Sequence, residues 1–267
     1  MTNKRMEVAT KTDQPLFIPF ITAGDPSADA TIDIALTLEE AGASILELGI
    51  PYSDPLADGP TIQAASKRAL QGGMSLEKAL QLVPEMRKRG LTIPVIIFTY
   101  FNPLLQYGEE RFVNEASELG IDGLLVPDLP YEESEQLDQM CEQNGLSLIS
   151  LVAPTSQQRM VKIAERAKGF LYCVSSLGVT GVRNELDPRV YEFLKTVREA
   201  SSIPTAVGFG ISSAEQVKIM QEHADGVVVG SALVNVIGEQ KEALNNEKTR
   251  PEALGIIKKF VSSLISS

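Results

Sequence analysis

The stretch TAVGFGISSAEQVKIMQEHADGVVVGSALV, residues 205–234, holds one complete structural unit and the start of the next. TAVGF (205–209) is apolar at nearly every position, as a strand buried on both faces requires, and a glycine-rich turn follows it. SAEQVKIMQEH (213–223) then spaces its apolar residues at helical intervals, and GVVVG (226–230) is a second apolar strand. Two buried strands joined through a covering helix read as a parallel pair with a crossover.

The same unit recurs along the rest of the chain. Strands are expected at LFIPFIT (16–22), SILELGI (44–50), PVIIFTY (94–100), GLLVP (123–127), LSLISLV (146–152) and FLYCVS (170–175), making eight with the two above. Between them lie helical patterns such as ATIDIALTLEEAG, SLEKALQLVPEMRKRG, EERFVNEASELG, YEESEQLDQMCEQNG, SQQRMVKIAERAKG and DPRVYEFLKTVREAS, several closed by the Gly that ends helices most readily. Eight strand–helix units predict an α/β fold, a single (β/α)8 TIM barrel over residues 1–267. An open doubly wound sheet is the alternative. No Pro/Gly/Ser-rich linker divides the pattern; residues 1–15 are expected as a helix or flexible segment, and GIIKKFVSSLIS as an extra C-terminal helix.

Composition narrows the function classes. With 24 Lys and Arg against 35 Asp and Glu, the net charge of −11 opposes general attraction to nucleic acid or an anionic membrane, so any phosphate must be held by a local site. The first residues lack a signal peptide's apolar core and no run reaches transmembrane length, which predicts a cytoplasmic protein. Cys141 and Cys173 have no C-x-x-C partner and read as buried thiols. The single histidine, His223, falls where a helix gives way to a strand, so histidine triads and histidine metal sites have nothing to be built from. Proton transfer falls to carboxylates, tyrosines or lysines.

Barrel chemistry sits at the C-terminal ends of the strands, and three places there carry unusual sequence. PYSDPLADGP (51–60) is too irregular for a simple turn, and SSLGVTGVRNELD (175–187) is long enough for a lid. The turns GFGIS (208–212) and GS (230–231) stand where barrels commonly hold phosphate through backbone amides and a helix start. Glu47 lies between leucines near the end of a buried strand, where burial raises a carboxyl pKa toward neutrality; a structural Glu with a Lys or amide partner is the equal alternative. Asp54 and Asp58 are loop aspartates whose ordinary roles are turns and caps, but their loop follows the strand of Glu47.

ELGIPYSDPLADGPTIQ (47–63) closely resembles the motif of tryptophan synthase α subunits. The resemblance runs in order through FIPFITAGDP (17–26), TYFNP (99–103), VPDLPYEES (126–134), GVTGVR (178–183), GFGIS (208–212) and GSALV (230–234). It implies a lyase that splits indole-3-glycerol phosphate into indole and glyceraldehyde 3-phosphate by retro-aldol cleavage, without metal or cofactor in this chain. The expected partner is a pyridoxal-phosphate β subunit in an α2β2 (αββα) heterotetramer. By the resemblance, Glu47 protonates C3 of the indole, Asp58 handles the indole N–H, and Tyr172 packs near Glu47. Gly181, Gly210, Gly230 and Ser231 match phosphate binders, and Phe20, Tyr100, Leu125 and Phe209 match the indole pocket, with core packing an equal reading for the last four. Pro51, Asp54 and Thr180 fall in the lid and partner surface; Leu177 departs from the family's usual hydroxyl residue there. A stand-alone indole-releasing lyase and a catalytically silent barrel that regulates a β subunit are the competing functions.

Overall fold

The structure, a computed structural model, describes residues 3–12, 14–174, 188–208 and 210–265. Leu177, Thr180 and Gly181, with the rest of 175–187, and Phe209 lie outside the described residues.

The described strands are β1 (Leu16–Thr22), β2 (Leu46–Gly49), β3 (Val95–Phe98), β4 (Gly123–Leu125), β5 (Ser147–Leu148), β6 (Leu151–Val152), β7 (Leu171–Val174), β8 (Thr205–Gly208) and β9 (Gly226–Val229). All pairings are parallel, in the order β5-β4-β3-β2-β1-β9-β8-β7-β6. The ends of that order are the two halves of one expected strand. LSLISLV (146–152) is broken rather than continuous: β5 pairs with β4, and β6 pairs with β7. Between them the Ile149 amide donates to Leu124 O while Ser150 O accepts from the Tyr172 amide. The fifth stave thus changes neighbour within two residues and closes an eight-stave barrel.

Alternation along each strand sorts the core into two layers. Leu46, Leu48, Val95, Ile97, Leu124 and Val227 face the surrounding helices, whereas Ile18, Ile45, Ile96, Leu125, Phe170 and Val228 fill the barrel. Glu47, between the two outward leucines, therefore points inward. Met6 and Ala9 of the N-terminal helix Lys4–Thr10 plug the lower end of that interior. Asp122, 1% exposed, ties this helix on: its carboxylate accepts from Arg5 Nε and Arg87 Nη2, each at 2.7 Å, and from the Val95 amide. The C-terminal tail forms the helix Arg250–Ile265, which buries Ala253, Ile257, Val261 and Leu264 and packs against Ala28–Glu40. Among the described residues no helix is long and apolar enough to cross a membrane.

Two helices that the periodicity did not single out, Pro60–Gln71 and Ser231–Glu239, pack on each other and on β1. Their Ile62, Ala65 and Val234 form one cluster with Phe20. They form one wall of the mouth where the site lies.

Candidate active site

The mouth of the barrel holds a cavity of about 460 Å³ whose lining includes Phe20, Glu47, Asp58, Tyr172, Gly210, Gly230 and Ser231. Its size lies within the range of small-molecule sites.

Glu47 forms the floor. It is 1% exposed, and its Oε1 has no hydrogen-bond partner among the described residues. Taking a charge out of water without a partner favours the neutral form, and burial pushes the Glu47 carboxyl up to about 8. At neutral pH it carries a proton that it can deliver into the cavity. Tyr172 stands on the opposite side of the floor, its phenol pushed up by burial first and by the nearness of Glu47 second. Room for these rings comes from strand-end glycines: a Cβ on Gly208 would lie 2.4 Å from the Tyr172 hydroxyl, and one on Gly49 2.4 Å from the Phe20 ring.

Asp58 reaches the cavity from the loop above. Tyr100 braces that loop, accepting a hydrogen bond from the Ala57 amide to its hydroxyl at 3.0 Å, and its ring lies 5.4 Å from that of Tyr52. Burial raises the Asp58 carboxyl above its ordinary range, and a hydrogen bond from Tyr100, which favours the carboxylate, offsets part of that rise. The Gln63 side chain donates to Asp58 O, and the helix starts two residues on with Pro60 in its first turn. The site therefore holds a dry acid below and, above it, a second carboxyl group that Tyr100 steadies by a hydrogen bond.

On the β8–β9 side the wall is backbone. Gly210 has φ +49°, a left-handed conformation that disfavours side chains, and the space where its Cβ would stand is empty. Gly230 is the N-cap of Ser231–Glu239, whose first amides have no intrahelical acceptor. Open amides at a helix start beside a glycine turn can hold an anion without a cationic side chain.

Of the other expected residues, Leu125 is fully buried in the barrel interior below the cavity, and Tyr100 acts on the loop instead of lining the cavity. Pro51 is buried at the loop's start; Asp54 accepts from the Ser53 hydroxyl at 2.6 Å on the exposed part. His223 packs against Tyr191 with the rings tilted at 57° and their centroids 4.4 Å apart, in the connection leading into β9 and so at the lower end of the barrel.

Several lining residues were missed. Phe98 packs edge-on against Phe20 at 5.4 Å, and Ile62, Pro127 and Leu151 add apolar surface suited to a flat aromatic group. The parity of Phe98 with inward Ile96 was available in the sequence; nothing there marked Pro127. Arg159 also lines the cavity, bound by both its Nε and Nη2 to Glu132 at 2.9 and 3.1 Å. Among the described residues no three His, Cys, Asp or Glu side chains gather as a metal site needs.

Comparison with known proteins places this geometry in a family. The family model described as tryptophan synthase alpha chain matches residues 6–261. Curated relatives include the tryptophan synthase alpha chain of Halalkalibacterium halodurans, 65% identical over 263 residues, covering 98% of this chain and 99% of that one. That of Shouchella clausii is 66% identical, covering 98% and 97%. Among solved structures, the tryptophan synthase α subunit of Legionella pneumophila superposes with a TM-score of 0.87 at 36% identity, covering 100% of this chain and 98% of that one. A chain from the tryptophan synthase α2β2 complex of Pyrococcus furiosus superposes at 0.84 and 39% identity, covering 95% and 98%.

Proposed function

The chain belongs to the tryptophan synthase α chain family, and from that membership we infer that Glu47 and Asp58 divide the proton work of its reaction. The enzyme is a lyase that cleaves indole-3-glycerol phosphate to indole and glyceraldehyde 3-phosphate.

The carrying observation is one cavity with Glu47, buried and with no partner for its Oε1 among the described residues, at the floor and Asp58, hydrogen-bonded by Tyr100, above it. Glu47 gives its proton to C3 of the indole, and the ring's positive charge gathers at N1. Asp58, as the carboxylate, stabilises that charge. The C3–C3′ bond then breaks and its electron pair returns to the ring, neutralising N1. The C3′ hydroxyl gives its proton back to Glu47 as its carbon becomes the aldehyde. Indole, aldehyde and a re-protonated Glu47 result, so atoms and charge balance.

The aryl group lies among Phe20, Phe98, Ile62 and Leu151, and the phosphate against Gly210, Gly230 and Ser231. By the resemblance, Gly181 is a phosphate binder, Phe209 an indole-pocket residue and Thr180 a lid residue; all three lie outside the described residues. The partner is a β subunit in an α2β2 assembly, which carries the pyridoxal phosphate; the α chain, one barrel domain working in the cytoplasm, needs no cofactor of its own. Indole release from indole-3-glycerol phosphate, measured with and without β subunit, tests this reading. Release that β subunit increases supports it; no release in either condition overturns it.

A further inference from the structure

Asp25 and Arg68 form an ion pair that the chemistry above does not use. Asp25 follows β1, and its carboxylate is 1% exposed. Arg68, on Pro60–Gln71, donates to it with Nε at 2.8 Å and Nη2 at 2.9 Å, the two-pronged geometry that fixes orientation as well as distance. The same guanidinium lies against the other wall helix: a Cβ on Gly238, in Ser231–Glu239, would stand 3.2 Å from Nη2. Gly238 leaves the room that the guanidinium needs.

The placement joins three parts of the site. Asp58 lies two residues before Pro60–Gln71, and Gly230 is the N-cap of Ser231–Glu239. The first turns of both helices share the Phe20 cluster through Ile62 and Val234, while their far ends meet at Arg68 and Gly238. The two helices thus run side by side in the same direction, with both N-termini at the cavity. Arg68 sits about 12 Å along its helix from Pro60, at 1.5 Å per residue, well away from the reacting atoms.

We propose that Arg68 is a positioning residue: clamped to Asp25 and seated against Gly238, it fixes the helix behind Asp58 relative to the helix behind the phosphate seat, so that anchoring the phosphate aligns the indole with Asp58. This rests on the phosphate seat and the role of Asp58 given above. Binding energy at a remote phosphate speeds cleavage only if the seat and the carboxylate are held rigidly together.

The test compares indole-3-glycerol phosphate with its dephosphorylated form, indole-3-glycerol, as substrates of the chain saturated with β subunit. Wild type is expected to have a much higher kcat on the phosphorylated compound. Arg68→Lys keeps the charge but loses the planar fork. It should lower kcat on the phosphorylated substrate by about 10- to 100-fold, the scale of a misplacement near 1 Å, with KM changed less than threefold. On indole-3-glycerol kcat should stay within twofold, so the advantage conferred by phosphate collapses. Gly238→Ala, which crowds the guanidinium without removing the pair, should shift the same ratio by a smaller factor and serves if Arg68→Lys does not fold. Equal losses on both substrates, or no loss on either, overturn the proposal. A wild-type enzyme that turns over both compounds equally overturns the phosphate seat itself, and the proposal with it.

Discussion

Replacing Glu47 with Gln should stabilise the fold by an amount that grows with pH. The carboxyl titrates at about 8 in the fold against an ordinary value of 4.5. The folded chain therefore holds this proton more tightly than the unfolded chain. Stability contributed at this position falls as pH rises above 4.5 and levels off above about 8. Each tenfold difference in proton affinity between the two states is worth about 1.4 kcal/mol, so keeping Glu47 buried costs under about 1 kcal/mol at pH 5 and about 3 kcal/mol at pH 7. Gln has the same shape and no such titration. Whatever constant cost the amide brings, the difference between Gln variant and wild type should move in favour of the variant by about 3.5 kcal/mol between pH 5 and pH 8. Urea titrations at pH 5, 6, 7 and 8, with equal slopes for the two proteins, measure this directly. Parallel stability curves would mean that Glu47 is ionised in the fold at neutral pH, and the general-acid role would fall with that result.

Other consequences are as definite. In wild type, kcat/KM should decline above pH 8 with a slope of one proton as Glu47 of the free enzyme loses its hydrogen. Tyr100→Phe removes the acceptor for the Ala57 amide and the hydrogen bond that offsets part of the burial shift on Asp58; kcat/KM should fall about tenfold and the acid limb of its pH profile should move to higher pH. An unmoved limb would detach Tyr100 from Asp58. Gly208→Ala places a methyl 2.4 Å from the Tyr172 hydroxyl and should cost about 1–3 kcal/mol of stability along with activity, partly restored by adding Tyr172→Phe. Gly210→Val forces a β-branched residue to φ +49° and should raise KM for the phosphorylated substrate; an unchanged KM removes that turn from the phosphate seat. At the far end of the barrel, Asp122→Ala removes the shared partner of Arg5, Arg87 and the buried Val95 amide and should lower stability by about 1–3 kcal/mol, read by urea unfolding, with KM unaffected.

The strands were legible because each stave of a parallel barrel is apolar on both faces, and seven expected strands differ from the observed ones by no more than two residues at either end. The fifth was not: LSLISLV is apolar on both sides of Ser150, and apolarity says nothing about the switch of hydrogen-bond partner that splits it. Pro60–Gln71 carried its own signal, Pro in the first turn and buried Ile62, Ala65, Ser66 and Ala69 at helical spacing, but the loop motif before it drew the reading toward an irregular segment. Glu47 stood out as a carboxylate between two leucines of a buried strand, but a structural Glu paired with a Lys or an amide was an equal reading there; that its Oε1 has no partner among the described residues is visible only in the fold. Tyr100 was read as pocket lining; its role depends on the course of residues 51–60 above it, which local pattern does not encode. Arg159 and Arg68 were invisible for the same reason, since partners 27 and 43 residues away are brought close only by closure of the barrel.

The account rests on unequal proton roles for two carboxylates, and single-turnover cleavage by purified Glu47→Gln and Asp58→Asn, with substrate affinity measured separately, tests it most directly. Losing a positioned acid or a preorganised countercharge should slow bond breaking by at least about 10²-fold in each variant. Affinity should change only a few-fold, since the aryl wall and the Gly210, Gly230 and Ser231 seat are untouched. Near-normal cleavage by either variant, or loss of binding with cleavage intact once substrate saturates, would contradict it.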